Sequence, residues 1–145
     1  MKELRKEIAI AATPERVWEV LTDFESYPSW NPFIQSIAGR PAEGEKLEAR
    51  IAPPGGRAMR FRPTVLKAEP PRELRWLGHF VFRGIFDGEH IFQIEPSGDG
   101  GSRFVQRERF GGVLVPLFGA MLVKTEQGFA AMNEALKQRA ETTLD

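Results

Sequence analysis

The sequence predicts an α+β domain: a curved antiparallel sheet of six or seven strands wrapped around one long C-terminal helix, with two short helices after the first strand. Three observations lead there. From about residue 35 to residue 110, strand-like runs follow one another across short turns with no helical stretch between them, the pattern of an antiparallel meander. After Gly111-Gly112 the apolar period changes, and Phe118, Met121, Leu122, Thr125, Phe129, Met132 and Leu136 recur at spacings of three and four. A long helix with one apolar stripe has to bury it, and one face of the sheet is the large surface at hand.

The elements follow in order. Residues 3–11 alternate and read as the first strand. Thr13-Pro14-Glu15 opens a helix, with Thr13 as N-cap and Pro14 where a missing N–H costs nothing; Val17, Trp18, Val20 and Leu21 continue it. The aromatic, proline-rich FESYPSWNPF at 24–33 predicts a short second helix or turn. Strand-like runs then cover 35–39, 45–52, 58–69, 73–82, 85–95 and 102–110, punctuated by PPGG at 53–56, PP at 70–71 and SGDGG at 97–101. Residues from about 115 to 141 complete the chain as one amphipathic helix. A twisted sheet of this size curls around such a helix, and a cavity remains wherever the facing side chains do not fill the space.

Composition narrows the function. A chain of 145 residues suits one domain over 1–145, with enough apolar content (41%) to build a core. Lys+Arg and Asp+Glu are both 20, so no electrostatic case exists for nucleic acid or an anionic membrane as partner. With no cysteine, a disulfide framework, a thiolate metal site and a cysteine nucleophile are excluded together. The N-terminus lacks a signal-peptide core, and no window approaches the roughly 18 apolar residues of a membrane span, so a cytoplasmic protein is expected. No cofactor is expected. Gly55-Gly56 and Gly98-Gly100-Gly101 lack the strand–turn–helix setting of a phosphate loop, and Ser26, Ser29 and Ser36 lack a nucleophile elbow.

Strand phase sorts the side chains. Leu74, Trp76, Gly78, Phe80 and Phe82 share the inward phase of one run; Phe86, Gly88, His90, Phe92 and Ile94 that of the next; Phe104, Gln106, Glu108 and Phe110 that of the last. Arg75, His79, Arg103, Arg107 and Arg109 take the outward phase. Aromatics lie inside and arginines outside. His90 is the exception, an ionisable ring on the core phase. Pairing across SGDGG brings it near Gln106 or Glu108, and a buried carboxylate needs a partner. Three roles are open to it: a satisfied structural histidine, a polar handle for a bound molecule, or a general acid/base. His90 with Glu108 is too small a set for a metal ion.

The stretches TPERVWEVLTDFESYPSWNPF and GEHIFQIEPSGDGGSRFVQRERFGG, with the closing helix, resemble the START-like superfamily, also called SRPBCC or helix-grip proteins. The nearest resemblance is to its polyketide cyclase/dehydrase and lipid transport branch, and it covers essentially the whole chain. It implies a helix-grip fold whose cavity, between sheet and C-terminal helix, holds a hydrophobic small molecule such as a lipid or polyketide-like compound. It implies no universal catalytic residue. The side chains expected to face that cavity are Trp30 and Phe33; Phe61, Trp76, Phe80, Phe92 and Phe104 from the strands; and Met121, Thr125 and Phe129 from the helix. His90, Gln106 and Glu108 are its polar members.

Three functions fit this frame: a binding protein for an apolar molecule, a small cyclase or dehydratase using His90 with Glu108, or an interaction module with a filled core. In the last case an apolar patch near 112–118 would cover a partner; otherwise that stretch is a connector or a gate over the cavity.

Overall fold

The computed structural model describes residues 2–79 and 84–142. Strand β1 (Lys2–Ile10) leads into helix α1 (Pro14–Thr22), whose first turn is closed by Thr13 Oγ1 accepting from the Arg16 amide at 3.2 Å. Val17, Val20 and Leu21 are its buried face. A 3-10 turn (Phe24–Ser26) and helix α2 (Tyr27–Trp30) follow, anchored by the Tyr27 hydroxyl donating to the Leu21 carbonyl. The Trp-Asn-Pro-Phe stretch then has a clear local purpose. Asn31 Oδ1 accepts from the amides of both Phe33 and Ile34 at 2.9 Å, a side-chain-made turn that aims Phe33 inward as β2 (Ile34–Ala38) begins.

The remaining strands are β3 (Glu48–Ile51), β4 (Met59–Phe61), β5 (Thr64–Glu69), β6 (Glu73–His79), β7 (Asp87–Pro96) and β8 (Ser102–Gly111). All pairings are antiparallel: five strands run in the order β1-β8-β7-β6-β5, and β2-β3-β4 form a smaller sheet. The run at 58–69 therefore divides into two strands. Pro63 has no N–H to donate, and its carbonyl accepts instead from the Leu47 amide at 2.8 Å. Bonds from Gly44 to Val65 and from Val65 to Glu45 continue that seam, stitching the small sheet to the edge of the large one. A register shift in β5 between Val65 and Lys67 adds local bending.

The predicted helix over 115–141 starts later. Val115–Leu117 form a 3-10 turn containing Pro116, and α3 runs Gly119–Glu141 with no side-chain cap at its start. Leu122, Phe129, Met132 and Leu136 are buried against the sheet. The far end of α3 is held firmly: Arg16 donates to the carbonyls of Arg139 and Ala140, and Glu141 accepts from the Ala11 amide at 2.7 Å.

The two faces of the large sheet differ as the strand phases predict. Inside lie Leu74, Trp76, Phe92, Ile94 and Phe104, all at 3% exposure or less. Outside, Arg75 pairs with Glu73 and Glu89, Arg107 with Glu3, and Arg103 with Glu7 and Glu95. Ile91 and Val105 are nevertheless buried on that outer phase, and Ile91 stands in register between Arg75 and Arg107. Long charged side chains can roof an apolar one while keeping their heads in water.

Candidate functional site

Between the large sheet, the small sheet and the N-terminal half of α3 lies a cavity of about 510 Å³. Trp76 on β6, Phe86 just before β7, His90 on β7, and Glu108 and Phe110 on β8 form one wall. Phe33, Ile51, Met59 and Phe61 form a second, and Phe118, Met121 and Thr125 the third. Exposed Arg57, His79 and Lys124 stand at its rim. His79 carries the outward phase yet reaches this rim, where its Nδ1 lies 2.7 Å from Asp87 Oδ1.

The polar end of the cavity is built by the β7–β8 register, which sets His90 directly opposite Glu108 and Phe92 opposite Gln106. Both acidic and amide neighbours engage His90, on different nitrogens. His90 Nε2 donates to Gln106 Oε1 at 2.9 Å, and Gln106 Nε2 donates to Asn133 Oδ1 on α3 at 2.8 Å. Since Gln106 Oε1 only accepts, Nε2 carries a ring proton, and a ring kept neutral by burial leaves Nδ1 its lone pair. That lone pair lies 3.5 Å from Glu108 Oε1. His90 is also stacked on Phe92 with centroids 4.4 Å apart and flanked by Trp76 and Phe129.

Electrostatics follow from this packing. Burial among the rings pushes His90 down to about 4, against the opposing pull of the Gln106 hydrogen bond. Burial likewise pushes the Glu108 carboxyl up to about 8. Both shifts favour the neutral form, the ring with one proton and the carboxyl with its own, side by side at the cavity wall. Gly88, across from Phe110, makes room for that carboxyl: a Cβ there would come 2.5 Å from Glu108 Oε2.

Seven of the sequence-predicted side chains meet in the lining: Phe33, Phe61, Trp76, His90, Glu108, Met121 and Thr125. The Thr125 hydroxyl donates to the Met121 carbonyl at 2.9 Å, so what it offers the cavity is a lone pair. Phe92, Phe104, Phe129 and Gln106 lie deeper. They are fully buried in the packed layer between sheet and helix, where Phe33 meets Phe129 and Phe92 meets Phe104 edge or face on. Trp30 is elsewhere, lining a smaller polar pocket with Arg16, Asp23 and Arg139, because α2 turns its ring away from the sheet toward α1. Phe80 and Phe82 lie outside the described residues.

Sequence reasoning missed Ile51, Met59 and the rim cations Arg57 and Lys124. The strands β3 and β4 have four and three residues, too few for alternation to reveal a phase. Within 112–118, Phe118 enters the lining while Val113 and Leu117 are 72% and 76% exposed. Among the described residues no three His, Asp or Glu side chains gather to hold a metal ion, and no helix is long and apolar enough to cross a membrane.

Solved structures repeat this architecture. A START superfamily protein from Mycobacterium smegmatis is 25% identical, with a TM-score of 0.71 over 96% of this chain and 97% of that one. A protein from Thermus thermophilus is 22% identical, with a TM-score of 0.72 over 96% and 97%. A norcoclaurine synthase point mutant from Thalictrum, solved with a transition-state analogue, is 13% identical with a TM-score of 0.73 over 96% and 93%. No curated protein matches the chain. The family model for polyketide cyclase / dehydrase and lipid transport proteins matches residues 1–141, so the helix-gripping sheet, its cavity and the sequence agree: the chain belongs to that family, within the START-like superfamily.

Proposed function

We propose that the protein binds a hydrophobic small molecule, of lipid or polyketide-like character, in the cavity between sheet and C-terminal helix. The observation that carries this reading is the cavity itself. It has room for a small organic molecule, its walls are mainly aromatic and aliphatic, and His90, Glu108 and Thr125 are the polar side chains of its inner lining among the described residues. Met59 and Met121 in opposite walls suit apolar partners of varied shape. A filled core, which an interaction module of this fold would have, does not fit a space of about 510 Å³.

The test is mass spectrometry of organic extracts from freshly purified protein, followed by titration with an apolar fluorescent probe. Expected is a stoichiometric apolar molecule, or saturable probe binding that Met121→Trp abolishes by filling the cavity. An empty extract together with absent probe binding sinks the reading. A catalytic second reading, with His90 and Glu108 as its acid/base pair, is favoured by one observation: the Glu108 carboxyl is within 3.5 Å of His90 while also facing the cavity. That reading requires turnover of a bound compound to vanish in His90→Ala.

A further inference from the structure

We infer that Glu108 receives its ligand as an un-ionised carboxylic acid, donating a hydrogen bond, and that the cavity therefore selects neutral molecules carrying a carbonyl oxygen over apolar carboxylates. This rests on the binding reading above and names the ligand's polar group. The argument begins on α3. Asn133 Oδ1 takes one amide hydrogen of Gln106, which orients Gln106 Oε1 toward His90 and fixes the ring proton on Nε2. With the ring kept neutral by its burial among Trp76, Phe92 and Phe129, what His90 turns to Glu108 is a lone pair. A carboxylate facing it would set two acceptors against each other in a buried site; a carboxylic acid sets a donor there.

Among the described residues no Lys or Arg forms an ion pair with Glu108: on β1 its register partner is Leu4, and Lys2 and Lys6, two positions to either side, are exposed. From β7 the group facing Glu108 is His90, held neutral by burial. From β6 the rim carries His79, already paired with Asp87. The loop between β3 and β4 brings Arg57, and α3 brings Lys124, both exposed at the rim. Among the described residues the carboxyl is thus the donor that a largely apolar chamber offers from its interior, the Thr125 hydrogen being spent on the Met121 carbonyl. Its proton faces Nδ1 across 3.5 Å, longer than a good hydrogen bond, so a ligand oxygen that takes the proton displaces only a weak contact. Gly88 keeps the space beside Oε2 clear. A ligand carboxylate placed at that end would be a buried anion without a counter-ion. A neutral carbonyl completes the pattern.

Two matched fluorescent probes test this: 2-dimethylaminonaphthalene, and the same ring bearing a propionyl ketone. Binding of the ketone-free probe reports on the cavity; the extra affinity of the ketone reports on Glu108. At about pH 6 the ketone should bind roughly tenfold tighter, the worth of one net hydrogen bond. At about pH 10, above the value of about 8 to which burial raises Glu108, that advantage should disappear. Glu108→Gln, whose amide still donates but does not ionise, should keep the advantage at both pH values. Glu108→Leu should lose it at both while still binding the ketone-free probe. A pH-independent advantage in the wild type, or one surviving in Glu108→Leu, overturns the inference. Failure of both probes to bind overturns the cavity reading and this one with it.

Discussion

At the scale of the residue, His90 and Glu108 are one arrangement with two opposed titrations. His90 has its folded value lowered to about 4 from 6.5, so stability is lost as pH falls through that window, where the unfolded chain binds the extra proton. Glu108 has its value raised to about 8 from 4.5, so stability is lost as pH rises, because the folded chain holds a proton the unfolded one releases. Between 4.5 and 6.5 the two slopes cancel, leaving a plateau with declines on either side. Glu108→Gln should therefore raise the melting temperature at about pH 8 and leave it nearly unchanged at about pH 5, measured by thermal scans in matched buffers. A variant equally stabilised at both would mean that Glu108 is ionised in the fold. The pairing was legible in the sequence, since the phase and the SGDGG turn put His90 beside Gln106 and Glu108. The division of labour between them was not. It depends on Asn133, 27 residues beyond Gln106 and on another element, and no local pattern carries that contact.

At the scale of the element, legibility followed length. The strands β7 and β8, ten residues each, announced both register and inward face. The three-residue β4 announced neither, and one proline split its run from β5. The aromatic stripe of α3 was visible, but depth along it was not: Met121 and Thr125 reach the cavity, while Phe129, two turns on, belongs to the packed layer. Gly128 explains that boundary. It sits mid-helix, where glycine ordinarily weakens a helix by about 1 kcal/mol relative to alanine. Here the Phe33 ring occupies the space a Cβ would take. Gly128→Ala should thus destabilise, by about 1–3 kcal/mol in urea unfolding, against its helix propensity. A stabilised variant would show that the Phe33 ring moves aside freely.

At the scale of the whole molecule, the opposite charges balance, and the fold arranges many of them as a lattice of surface ion pairs over the outer sheet face. The exposed pairs among them contribute little individually, about 0–1 kcal/mol each, while Glu73 is itself buried, so stability rests on the inner layer and on the burial of Ile91 and Val105 beneath the charged side chains. The family resemblance was readable from end to end, because it resides in the helix cap, the Trp-Asn-Pro turn and the hairpin. The chemistry of the proposed ligand was not, because it depends on which few polar atoms the inner layer leaves facing a void.

The unequal ends of α3 have a mechanical consequence. One end is bolted to α1 and β1 through Arg16 and Glu141; the other begins at an uncapped Gly119 beside a 3-10 turn. Such a helix is expected to act as a cantilever, stiffer at its root than at its tip, and the tip bears Met121 and Thr125 of the chamber lining. Amide hydrogen exchange should be fastest over 119–125 and slowest over 130–140, and a bound guest should slow the tip while leaving the root as it was. Uniform exchange along the helix would refute this picture. On the proposed binding reading, a guest would enter by deflecting one beam end while the sheet stood still.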